Sequence, residues 1–238
     1  RRVGLPDERR LALLHVIGDT AGLERWAPPQ GRPLRVGVPR RFLCDHLQEA
    51  VELGFGYSLD VLRAAGWEVV DVDIPIAEHA VEIQLAILAY EAAQVHRDLY
   101  ARHADLYEPS SRGYIEMGLA TTPERYAWGL AQRELVRAEV AAALVGVDLL
   151  ATPTTPFTAP PHDAYALLVD GEEVPVDLAS VRNLALFVQA GTPALSLPCA
   201  LDGDGLPVGL QLVAAPRRDL VLLGVAAEVE RLLAEALG

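Results

Sequence analysis

The stretch LRVGVPRRF, starting at Leu34, and the stretch WEVVDVDIP, starting at Trp67, restrict what this chain can fold into more than any other feature. Leu34, Val36 and Val38 alternate with their neighbours and Pro39 ends the run, the period-two signature of a strand. The second run is closed by Pro75. Between them Glu49 to Ala65 reads as a helix, with Ala65-Gly66 as its stop. Strand, helix and strand within about 40 residues make a βαβ unit. Such a unit requires parallel pairing and a right-handed crossover.

The remaining segments extend that unit into an α/β fold: a mixed, mostly parallel sheet flanked by helices on both faces. Ala77 to Ala104 is rich in Ala, Leu, Ile, Glu and Gln and reads as a long helix. Pro109 to Gly113 is expected to interrupt, and Tyr114 to Leu119 to form a short helix. Thr122-Pro123-Glu124 is a helix start, with Thr as N-cap, Pro at N1 and an acid in the first turn. That helix runs to about Val145, and VDLLATP supplies a third strand. Pro153 to Val176 reads as a long loop holding a small hairpin around LLVDGEEVPV. Val181 to Gln189 is expected to be a short helix. Asp219 to Leu237 is expected to be an amphipathic helix with Asp219 as N-cap. Residues 1–33 read as a helix, Asp7 to Ile17 with Leu11, Leu14 and Val16 on its apolar face, followed by a linker broken by Pro28, Pro29, Gly31 and Pro33. Residues 34–238 read as one α/β domain. The chain begins Arg1-Arg2 rather than Met, which reads as a piece of a longer protein or a processed product.

Charge narrows the partners. The formal net charge is −13, against a nucleic-acid backbone as direct partner. All 20 basic residues are Arg, so no chemistry needing a Lys can be completed within the chain. Cys44 and Cys199 are the only cysteines and form no CxxC, which fits a reducing, cytoplasmic setting and argues against zinc or a disulfide framework. No apolar run approaches membrane-span length and no export signal is visible. No cofactor is expected. The six His residues lack metal-ligand spacing, and His96 and His103, seven apart, read as surface residues. Asp71 and Asp73 read as solvated or facing an Arg, Glu91 as buried in an ion pair with Arg133, and Trp26, Trp67 and Trp128 as packing residues.

AGTPALSLPCALDGDGLPVGLQLVA, from Ala190 to Ala214, reads as two strands around an Asp/Gly turn. Val208, Leu210 and Leu212 face one layer, and Gly209, Gln211 and Val213 the other. A buried Gln211 needs hydrogen-bond partners. It either braces an adjacent loop or contacts a substrate. Gly209 beside it permits a close approach by backbone or ligand.

In this order the segments resemble the C-terminal half of the amidase signature family. The matching stretches are LRVGVPRRF, LRAAGWEVVDVDIP, YEAAQVH, RYAWGLAQRELVRAEV, VDLLATPTTPFTAP, RNLALFVQAGTPALSLPCALDGDGLPVGLQLVA and RDLVLLGVAAEVE. The resemblance implies an α/β enzyme that cleaves carboxamide C–N bonds through a Ser acyl-enzyme, with a Lys and a second Ser in a cis peptide activating the nucleophile. Those residues belong to a Gly/Ser-rich region upstream of the matched one. Here there is no Lys and no such run, and the five serines are Ser58, Ser110, Ser111, Ser180 and Ser196. No catalytic residue is therefore expected in this chain. The resemblance implies a pocket wall instead, with Thr154, Thr155, Arg182, Asn183, Gln189 and Gln211 as candidate substrate contacts. Val188 stands where the family commonly has Asn. The implied partners are a small amide substrate in the intact enzyme and the missing N-terminal catalytic half, with a homo-oligomer as a further expectation. Two other readings stay open: the amidase component of a tRNA-dependent amidotransferase, and a non-catalytic binding or assembly paralogue.

Overall fold

The structure is a computed structural model that describes residues 26–236. The helix expected over Asp7 to Ile17 lies outside the described residues. The βαβ unit is present: β1 (Arg35–Pro39), α1 (Glu49–Ala64) and β2 (Glu68–Val72), with β1 and β2 parallel and Val36 opposite Val69. A 3-10 turn over Pro75–His79 leads into α2 (Ala80–His103), followed by α3 (Pro109–Ala120) and α4 (Pro123–Ala143). Then come β3 (Leu149–Pro153), the separate hairpin β4 (Ala166–Val169) and β5 (Glu172–Pro175), and α5 (Val176–Ala190). β6 (Ala194–Leu201), β7 (Pro207–Val213) and α6 (Asp219–Ala236) complete the order.

The main sheet runs β2-β1-β3-β7-β6. β1, β2 and β3 pair in parallel, β7 is antiparallel to β3, and β6 is antiparallel to β7. Four of the five strands thus run one way and β7 alone is reversed. Strand alternation splits the core in two. Val36, Val38, Leu149, Leu197, Val208, Leu210 and Leu212 meet α1 and α6 on one face. Leu150 and Val213 meet α2, α4 and α5 on the other. The phases expected for β7 are those observed.

Several local expectations are corrected. Pro109 to Gly113 does not interrupt: Pro109 is the first residue of α3, where its missing N–H costs nothing. Glu108 caps that helix, accepting from the Ser110 N–H at 2.9 Å and the Ser111 N–H at 3.3 Å. α5 starts at Val176, five residues earlier than Val181, because it continues directly from β5. Asp219 is the first residue of α6 rather than its cap, and the Leu222 N–H donates to the Arg218 carbonyl at 2.9 Å. Glu91 is exposed and accepts from the Tyr126 hydroxyl at 2.8 Å, not from Arg133, since Tyr126 stacks on Tyr90 next to it. Asp71 faces an Arg as expected, Arg40 at 2.7 Å. Trp26 and Trp67 pack on the first core half and Trp128 on the second.

One ion pair at the sheet's end ties β3 to the chain before β1. Asp148 accepts from Arg32 at 2.7 and 2.8 Å and from the Arg35 N–H at 2.8 Å. Arg32 above all, and then the Arg35 N–H, hold the Asp148 carboxyl below the usual carboxylate range despite partial burial. A carboxylate whose pKa falls on folding stabilises the native state above its unfolded pKa and loses that contribution as pH falls through the folded one. Urea midpoints should therefore drop less steeply below about pH 5 in Asp148→Asn than in the parent.

Candidate active site

The loop after β3 and the middle of α5 converge where the parallel strands end, the position at which open α/β sheets hold ligands. Thr152, Gln211 and Ser196 lie directly opposite one another across β3, β7 and β6. They form a polar row on a sheet whose central positions are otherwise apolar. Gln211 is 3 % exposed. Its amide donates to the Thr152 hydroxyl at 2.9 Å and to the Asn183 carbonyl at 3.0 Å, joining strand and helix. The brace therefore reaches β3 and α5.

Asn183 is fully buried on α5. Its side-chain N–H2 donates to the Leu43 carbonyl at 2.8 Å and the Pro153 carbonyl at 2.9 Å. Those carbonyls belong to the β1–α1 loop and the end of β3, so one amide closes two chain segments that leave the sheet. Arg182 acts on the same loop. Its guanidinium donates to the carbonyls of Asp45 at 2.6 Å, His46 at 3.3 Å and Phe42, and lies 4.5 Å from the Phe42 ring centre. Phe42 and His46 are left-handed, with φ of 66° and 48°. Such backbone persists for non-glycine residues only when neighbours enforce it, and Arg182 is that neighbour. Burial lowers the Arg182 pKa.

Thr154 lies at the outlet of β3. Its N–H donates to the Gly209 carbonyl at 2.9 Å and its hydroxyl shares a 2.6 Å hydrogen bond with that of Ser196. Gly209 makes this possible: a Cβ there would lie 2.6 Å from the Thr154 hydroxyl and 2.9 Å from that of Ser196. The close approach expected at Gly209 is thus made by a threonine of this chain. Thr155 donates to the Phe157 carbonyl at 2.8 Å, which shapes the following turn. Gln189 is buried on α5, and Val188 beside it is 66 % exposed. The structure joins Asn183 and Gln211 through Thr152 and the Asn183 carbonyl, pairs Thr154 separately with Ser196, turns Arg182 to the β1–α1 loop and Thr155 into its own turn. Thr152, bonded to Gln211, and Ser196, bonded to Thr154, complete these two groups although neither was among the candidates. Their signal was strand phase, but the loop between β6 and β7 is too long to fix the register from sequence. A cleft of about 400 Å³ opens between the β1–α1 loop, the β4–β5 hairpin and α5, with Arg41, Phe42, Glu78, Pro156 and Val174 in its lining and Arg182 as its one candidate residue.

A nucleophile is a different matter. Ser58 is buried and donates to the Phe55 carbonyl at 2.6 Å. Ser180 donates to the Val176 carbonyl at 2.6 Å within its own helix. Ser110 meets a carboxylate, Glu108 at 2.6 Å, but that carboxylate is the cap of α3 and its pKa is lowered by the Ser110 hydroxyl and the Ser111 N–H. A carboxylate held below its ordinary range is a poorer proton acceptor, and the pair sits on the surface. Burial pushes the Cys44 thiol up to about 12 and the Cys199 thiol up to about 11, away from thiolate. Among the described residues, no group of three His, Cys, Asp or Glu side chains is placed to hold a metal ion.

Residues 23–223 match the amidase family. The chain belongs to the amidase family. Among its relatives, an amidase of Pseudomonas putida is 30% identical over 174 residues, which is 73% of this chain and 37% of that protein. A glutamyl-tRNA(Gln) amidotransferase subunit of Anaeromyxobacter dehalogenans (strain 2CP-C) is 31% identical over 226 residues, covering 84% of this chain and 45% of that protein. A solved amidase structure, 32% identical, superposes with a TM-score of 0.80 over 86% of this chain and 47% of the other. The chain thus spans less than half the length of these amidase relatives. No described helix is long and apolar enough to cross a membrane.

Proposed function

We propose that this chain is the scaffold and pocket-wall portion, corresponding to the C-terminal part, of an amide hydrolase whose serine nucleophile and activating lysine lie outside these 238 residues. The observation that carries the reading is the coincidence of an amidase fold with a complete lack of Lys and, among the described residues, of any serine facing a competent base. A serine hydroxyl without such a base is a weak nucleophile. In the intact enzyme the acyl-enzyme would form on the supplied serine, and backbone N–H groups near it would bind the oxyanion. Thr154 would meet the amide substrate from the outlet of β3. Thr155, Arg182, Asn183, Gln189 and Gln211 would fix the shape of the wall around it. The two cysteines are free, in keeping with a reducing, cytoplasmic setting.

Ammonia release from a simple aliphatic amide tests this directly. The purified 238-residue protein should show none above background. Turnover that persists in Ser110→Ala/Ser111→Ala would place an active site within the chain and end the proposal. The similarity to a glutamyl-tRNA(Gln) amidotransferase component supports a second reading, in which the parent enzyme passes ammonia to a partner protein instead of releasing it. Stable co-purification with such a partner separates the two.

A further inference from the structure

The cleft between the β1–α1 loop, the β4–β5 hairpin and α5 takes none of its lining from the polar row. Its volume of about 400 Å³ lies in the range of small-molecule sites. Phe42, Pro156, Val169 and Val174 give it apolar walls. The His46 ring meets the Asp170 carboxylate at 3.3 Å and joins the loop to the hairpin, which fixes the distance between those walls.

Arg182 carries the charge in this cleft without an anion to answer it. Its guanidinium has five N–H groups, and three of them go to the carbonyls of Asp45, His46 and Phe42. Carbonyls satisfy donors but do not neutralise a cation. Among the described residues, no carboxylate lies within ion-pair distance of Arg182, and burial works against its charged form. Two donors are left over, the number a carboxylate takes from a guanidinium in a bidentate pair. The acids around the cleft are mostly engaged: Glu78 pairs with Arg41 at 3.3 Å, and Asp45 accepts from the Phe42 N–H at 2.8 Å. Glu172 is the exception. It is exposed, lines the cleft, and among the described residues has no cation within ion-pair distance.

We propose that this cleft binds a small carboxylic acid with an apolar body and one negative charge, its carboxylate on Arg182 and its body against Phe42, Pro156 and Val174. The bound anion neutralises a half-buried cation that the chain itself leaves unpaired, and the apolar walls take the rest of the molecule out of water. Glu172 sets the charge limit: a second carboxylate on the ligand would meet a like charge there. The inference goes beyond the catalytic reading and does not depend on it.

The probe is benzoate, titrated calorimetrically into the purified 238-residue protein. One benzoate should bind per chain, terephthalate about tenfold more weakly, and benzylamine not at all. Hydrogen exchange should slow with benzoate in residues 41–46 and 172–182 and stay unchanged in β6. Glu172→Gln, at an exposed position, should bring terephthalate to within about threefold of benzoate. Ala179→Leu places bulk on the cleft side of α5 and should weaken benzoate about tenfold. Absence of benzoate binding, slowed exchange confined to other segments, binding of benzylamine at the same segments, or unaltered benzoate binding in Ala179→Leu overturns the site. Terephthalate that binds as tightly as benzoate, or that stays tenfold weaker in Glu172→Gln, overturns the charge limit. No turnover enters these readings, so a chain found inactive, or found active, leaves them as they are.

Discussion

Replacing Gly118 with alanine is expected to destabilise the protein by about 3 kcal/mol, although alanine is the better helix former. A Cβ at Gly118 would lie 1.8 Å from the Ala89 carbonyl oxygen and 2.7 Å from the Ala93 methyl. α3 crosses α2 at this point on backbone-to-backbone contact, and backbone cannot swing aside as a side-chain tip can. The two helices must separate, and the packing of Ile115 beneath α3 goes with them. Gly113, in the same helix, supplies the control. Nothing lies within 4 Å of a Cβ built there. Gly113→Ala should stabilise by about 0.5–1 kcal/mol from helix propensity alone. Urea denaturation of both variants reads the opposite signs. Equal and favourable shifts would show that the α2–α3 crossing is looser than described.

Asn183→Leu should cost about 2–6 kcal/mol, since it leaves the Leu43 and Pro153 carbonyls without their donor and each orphaned buried acceptor costs about 1–3 kcal/mol. Asn183→Asp is the sharper variant. It keeps the shape, removes the two N–H donors and turns a carboxylate toward two carbonyl oxygens. Its protonated form is the favoured one in the fold, so its pKa rises on folding. The native state then binds more protons than the unfolded state, and stability falls as pH rises through the carboxylate range. Melting temperatures across pH should show Asn183→Asp converging on the parent in acid and departing from it near neutrality. A pH-independent offset would mean that the side chain is less enclosed than its complete burial indicates.

The parts of the fold that follow from local rules were legible. Leu34, Val36 and Val38 declared a strand, the Thr122 cap and Pro123 declared the start of α4, and the alternation of Val208, Leu210 and Leu212 declared which way β7 faces. Thr122 accepts from the Arg125 N–H at 3.2 Å, as a cap should. What escaped were matters of distance along the chain. The Asn183 side chain meets the Leu43 carbonyl across 140 residues, and nothing near either residue announces the other. Ser196 entered the polar row through a register that the β6–β7 loop left free. Glu91 was expected to pair with Arg133, and the stacking of Tyr126 on Tyr90, which brings the Tyr126 hydroxyl to it instead, has no local signal. Pro109 read as a helix breaker because its position relative to the Glu108 cap was not evident. Most of the candidate site was legible as residue types and little of it as roles.

β3 sits at the centre of the sheet, yet neither of its neighbours is near it in sequence. On one side Asp148 meets Arg35 across 113 residues, and on the other Thr152 meets Gln211 across 59. Such pairings incur their loop-closure entropy before any contact rewards it. The βαβ unit and the α2–α4 helices can order early on local contacts. The middle of the sheet has partners from both sides of it in sequence, so β3 is expected to be the last seam to close.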